Sequence, residues 1–105
     1  MPFRRSYDRL KLNLPATLIV NKNEQEQLTL KDLSARGVGV LVKYPLAVNQ
    51  AVGIVITTSF FNAPVFKEAK VSWSKKVGED VSLAGLDFGV DNTIELPPAA
   101  FGKTK

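Results

Sequence analysis

Three of the four arginines fall within six positions, Arg4, Arg5 and Arg9 in RRSYDRLKLNL, and the fourth, Arg36, stands in KDLSARG. Lysine is a flexible point charge, whereas arginine carries a planar fork that grips phosphates and guanine edges and stacks on flat rings. Arg5 and Arg9 are four residues apart, a spacing that puts both side chains on one side of a helical turn or of an extended strand. In KDLSARG, Asp32, Ser34 and Gly37 stand where one strand ends and the next begins. An ionised carboxylate only accepts hydrogen bonds, so it complements the N1–H and N2–H donors of guanine, while arginine complements the opposite O6 and N7 edge. Alternation points Asp32 and Ser34 to one side, and Gly37 permits a tight turn or the close approach of a flat ligand. Taken singly, the first pattern also fits a solvated basic terminus and the second an ordinary Asx or Ser turn.

Other chemistries are excluded by composition. The chain has no histidine and no cysteine, which removes the commonest general base and metal ligand, every thiolate nucleophile and every disulfide. The acidic residues are scattered and supply no nucleophile–base pair, so no enzyme and no metal is expected. At 105 residues the chain makes one domain. Its net charge of +4 favours anionic partners without approaching polybasic density. The start has charge but no apolar signal core, and no apolar run is long enough to span a bilayer. A cytoplasmic monomer that does not insert into membranes is expected.

The elements that must position these residues read as strands. Leu10, Leu12, Leu14, Ala16, Leu18 and Val20 alternate with polar residues, the period of a half-buried strand. Pro15 on its polar side suggests an edge, a bulge or a break. Residues 21–27 read as a turn leading into LTLKDLS, and GVGVLVK is a third, glycine-punctuated strand. AVGIVITTS gives the fourth, PVFKEAKVSWSKKV a long fifth with Val71, Trp73 and Lys75 on one face, and VSLAGLDFGV the sixth. Close-spaced short strands without helical period predict an all-β barrel or sandwich. Pro97 and Pro98 disfavour a long helix at the end, leaving an irregular or one-turn-helical tail. Trp73 fits packing at the core or barrel lip better than a stacking platform. Of the adjacent Phe60 and Phe61, one is a candidate partner contact.

The joint pattern, RxxxR followed about twenty residues later by Asp-x-Ser-x-x-Gly, with both motifs flanking strands of a small barrel, resembles the PilZ domain, the bacterial receptor module for cyclic di-GMP. KVSWSKK resembles that family's strand with an aromatic after a valine, and LAGLDFGV its closing Gly-x-x-Phe strand. The resemblance runs from Arg4 to about Val90 and implies a six-stranded antiparallel barrel of the split-barrel type. A mobile arm would span residues 1–9, the barrel 10–90 and the tail 91–105. The tail is shorter and more proline-bearing than the helix many members carry.

Carried over residue by residue, Arg5 and Arg9 clamp phosphates and guanine Hoogsteen edges, Asp32 and Ser34 fix one guanine, and Gly37 leaves room for it. Arg36, Trp73 and Gly85 are further candidates for the ligand. Arginine just before the first motif arginine goes with a stacked pair of ligand molecules, so Arg4 implies two per chain. Ligand would order the arm, and the signal would pass to a downstream protein. The rival from another class is a barrel that binds single-stranded nucleic acid, which would want basic and aromatic residues interleaved across a face. Here the lysines are dispersed and the arginines localised, so no nucleic-acid partner is expected. A PilZ-type module acting through protein contacts alone is a third reading, and the intact motif residues weigh against it.

Overall fold

The alternating stretch from Leu10 and the β-branched, glycine-punctuated runs that follow it form strands. The computed structural model describes residues 9–21, 24–43, 45–59, 61 and 63–96. Six strands follow one another: β1 (Leu10–Asn21), β2 (Glu24–Leu33), β3 (Gly37–Val42), β4 (Ala51–Ile56), β5 (Val65–Gly78) and β6 (Val81–Asp87). They pair antiparallel in the order β1-β2-β3-β6-β5-β4, and β4 returns to β1 to close the barrel. The predicted six-stranded antiparallel barrel is thus observed, without a helix among the described residues.

The inward positions form one core. Leu18, Leu30, Leu33, Ile54, Ile56 and Val71 are fully buried, and each such aliphatic side chain contributes roughly 1.5–3 kcal/mol by leaving water. The barrel end beside the β2–β3 turn is sealed by the segment after β6. Phe88 and Ile94 are buried there. Their backbone N–H groups donate to the carbonyls of Arg36 and Ala35, each at 2.8 Å. Residues 88–96 are otherwise irregular, one of the two forms expected of the tail. Pro97, Pro98 and the rest of the tail lie outside the described residues, as do the arm residues 1–8.

Two local readings change, and the alternatives offered for Pro15 resolve to an open edge. The hairpin expected into LTLKDLS forms, but its turn is shorter than residues 21–27: Asn21 pairs with Glu24, where β2 begins, and Gln25, Glu26 and Gln27 pair with Ile19, Leu18 and Thr17. Their polarity reflects a hairpin end with little to bury, not a loop. Pro15 does not break β1. It pairs with Thr29 of β2, and β4 meets β1 only at Thr17–Ile19, so proline sits where the strand's second edge is open. In β5, consecutive residues of β6, Leu86 and Gly85, face Val71 and Trp73. The extra residue, Ser72, is a bulge that reverses the alternation, so Val71 is buried in the core while Trp73 is turned outward and is 44% exposed. Phe61 is partly buried and packs against the core; Phe60 lies outside the described residues.

Candidate functional site

Asp32 owes its direction to a second bulge. Leu30 pairs with Val40 and Asp32 with Gly39, so Lys31 is supernumerary. Leu30 and Leu33 both face the core, and the two residues between them are only half-buried. A bulge of this kind commonly re-aims a side chain near a functional site. The Asp32 carboxylate rests over the bare backbone of Gly39, and Arg9, the residue before β1, donates from Nη1 to Asp32 Oδ1 at 2.6 Å. The side chains of Arg9 and Asp32 are 44% and 25% exposed, so the pair is within reach of solvent and of a ligand. The two sequence motifs therefore meet on the outer surface.

Ser34 lies one residue past the end of β2, where alternation no longer sets its direction, and it is buried. Its hydroxyl is committed to the turn. It accepts from the N–H of Arg36 at 3.3 Å and of Gly37 at 3.2 Å, and it lies 3.3 Å from the Gly37 carbonyl as donor. Gly37 is glycine for a reason within the barrel wall. A Cβ there would collide with the Leu86 carbonyl oxygen across the β3–β6 pair, so the space freed by the missing side chain is filled by backbone.

Arg36 points elsewhere. Its guanidinium forks onto Asp87 at the end of β6, Nε to Oδ1 at 2.9 Å and Nη2 to Oδ2 at 3.4 Å. Asp87 Oδ1 also accepts from the Gly89 N–H at 3.2 Å. This ties the Ser34–Gly37 turn to β6 and to the segment after it. Trp73 and Gly85 are paired neighbours on β5 and β6, with the indole lying across the glycine. Arg4 and Arg5 lie outside the described residues.

The structure thus brings Arg9 to Asp32 and Trp73 to Gly85, keeps Ser34 and Gly37 within the turn, and turns Arg36 to Asp87. Asp87 and Gly39 were not singled out by sequence. The only signal for either is the strand register, which no one-dimensional pattern displays. A groove of about 690 Å³ bordered by Val20, Gly53, Phe66, Lys70 and Asn92 lies apart from these motif residues and touches the set only through Asp87. Among the described residues no group of acidic side chains is placed to hold a metal ion, and no helix is long and apolar enough to cross a membrane.

Among solved structures the chain is similar to the Bacillus subtilis Inhibitor of motility (MotI/DgrA), with a TM-score of 0.66 and 16% sequence identity over 93% of this chain and 46% of that one. The chain therefore spans less than half the length of that protein, and the likeness is one of fold. Comparison with curated proteins gave no match. The PilZ domain model matches residues 3–97, which include both arginine motifs and all six strands, and by that match the chain belongs to the PilZ domain family.

Proposed function

We propose that this PilZ domain is a receptor for cyclic di-GMP, bound on the outer face of β2, β3, β6 and β5, that relays the signal to a protein partner. The observation that carries the reading is the Arg9–Asp32 pair, which joins the first motif to the second at 2.6 Å. Each partner has the hydrogen-bonding character that one edge of a guanine requires: Asp32 accepts from N1–H and N2–H, and Arg9 donates to O6 and N7 or to phosphate.

Ligand binding is then an exchange of partners in which each charged group trades its ion pair for hydrogen bonds to the ligand. A half-exposed ion pair is worth only about 0.2–1 kcal/mol, so releasing Arg9 from Asp32 costs little, while one bidentate arginine–guanine contact discriminates against the wrong base by roughly 1–3 kcal/mol. Arg5 would clamp from the other end of RxxxR. None of these groups makes or breaks a bond, so the output is a changed surface offered to a partner protein.

Calorimetric titration of the full chain with cyclic di-GMP tests the reading, with cyclic di-AMP as the control. Two ligands per chain are expected, because an intercalated pair carries about four phosphate charges and more guanine faces, giving the Arg4 guanidinium something to neutralise and stack upon. Arg4→Leu should shift the stoichiometry towards one while binding survives. A parent stoichiometry of one, well above the dissociation constant, would rule out the pair and leave the receptor assignment intact.

Hydrogen exchange gives an independent check. Amides of residues 3–9 should exchange more slowly with cyclic di-GMP present, and those of the barrel strands should change less. Equal protection with and without ligand would mean that binding does not order the arm.

A further inference from the structure

The register sets four outward positions on one rung. Asp32 of β2 pairs with Gly39 of β3, Gly39 with Gly85 of β6, and Gly85 with Trp73 of β5. The two middle positions carry no side chain, and each outer side chain lies over the glycine beside it. A Cβ on Gly39 would sit 2.7 Å from Asp32 Oδ2 and 3.1 Å from its Cγ, and a Cβ on Gly85 would sit 2.7 Å from Trp73 Cε2 and 2.8 Å from its Cδ1. Neighbouring strands are about 4.8 Å apart, so the carboxylate and the indole cover two adjacent glycines and face each other across the β3–β6 pair.

We propose that Gly39 is a specificity-determining position of the ligand site, a positioning residue that acts through Asp32. The carboxylate is held at Oδ1 by Arg9 and rests with Oδ2 on β3 only because Gly39 has no Cβ. The two donors on the guanine edge must meet both carboxylate oxygens at once, which requires the carboxylate to lie with the plane of the base. A methyl group at position 39 lifts the carboxylate off the strand. Its clash is with the free end of a flexible side chain and not with backbone, so the side chain yields and the barrel does not. This separates Gly39 from Gly37, whose missing Cβ is occupied by the Leu86 carbonyl.

The inference rests on the reading that cyclic di-GMP binds here, and the two fail differently. The test titrates the parent, Gly39→Ala, Asp32→Ala and the double variant with cyclic di-GMP and cyclic di-AMP, with a thermal melt of each. Gly39→Ala should melt close to the parent, lose about tenfold in affinity for cyclic di-GMP and bind cyclic di-AMP as the parent does. Its selectivity should move towards that of Asp32→Ala. The double variant should bind no more weakly than Asp32→Ala alone, since a residue acting through another adds nothing once that other is gone.

A parent without affinity for cyclic di-GMP removes both the receptor reading and the inference. A parent whose binding depends on Asp32, with Gly39→Ala retaining its affinity and selectivity, overturns the inference alone. So does an additive loss in the double variant. A Gly39→Ala protein that fails to fold overturns it too, because the added methyl group was argued to meet only the tip of Asp32.

Discussion

Arg9→Ala and Asp32→Ala should each weaken cyclic di-GMP about tenfold to a hundredfold while hardly moving the melting temperature of the free protein. The binding loss follows from roughly 1–3 kcal/mol for a bidentate guanine contact, at about tenfold in affinity per 1.4 kcal/mol. The small thermal effect follows from the exposure of the pair, 44% and 25%, which holds its contribution to folding to about 0.2–1 kcal/mol. The variants should differ in kind. Asp32→Ala removes the acceptor that recognises guanine and so loses the preference over cyclic di-AMP. Arg9→Ala also removes a cation that any cyclic dinucleotide phosphate would meet, and so weakens both ligands. Calorimetry with both ligands, beside a melt of each free variant, separates these outcomes. Parent-like affinity in both variants would sink the assignment of the site.

Gly37→Ala should behave in the opposite way. Its Cβ would run into the Leu86 carbonyl oxygen, a backbone group held in the β3–β6 ladder by the pairing of Gly37 with Asp87 and of Val38 with Leu86. Overpacking a well-filled position costs about 1–3 kcal/mol, and a backbone obstacle that cannot rotate away puts this substitution at the upper end. At roughly 4–8 °C per kcal/mol for a domain of this size, the melting temperature should fall by about 10–20 °C. Well below that midpoint, the folded fraction should still bind cyclic di-GMP close to the parent affinity. Lost binding at an unchanged melting temperature would show instead that Gly37 makes room for the ligand, as the family resemblance implies.

What the sequence disclosed and what it hid divide along one line. Six strands and their rough limits were legible because the period of two in Leu10–Val20 and the β-branched runs of β3 and β4 are local signals. The bulges at Ser72 and Lys31 were not. Ser72 sits in SWS between residues that continue an apparent alternation, so nothing in the string shows that Trp73 has changed face. Lys31, next to Asp32 in TLKDLS, reads the same with or without a bulge. The motif residues could be named, but whether they touch depends on register. Arg9 and Asp32 are 23 residues apart and meet at 2.6 Å, whereas Ser34, two residues beyond Asp32, is drawn inward by the turn it closes. Gly39 and Gly85 become neighbours only when β3 and β6 are paired residue by residue.

The barrel's closure is uneven, and the unevenness has a mechanical meaning. β1 and β4 are joined through only three residue pairs, Thr17–Val55, Leu18–Ile54 and Ile19–Gly53, whereas β5 and β6 are paired along most of their length. Among the described residues the β1–β4 junction has the fewest paired positions of any in the barrel, and local opening begins where the fewest contacts must be given up. The β1–β4 seam is therefore the zip of this cylinder. It lies away from the Asp32–Gly39–Gly85–Trp73 rung, which belongs to strands paired along the other wall. A chain of this design can breathe at its seam while the wall that would read the ligand stays in register.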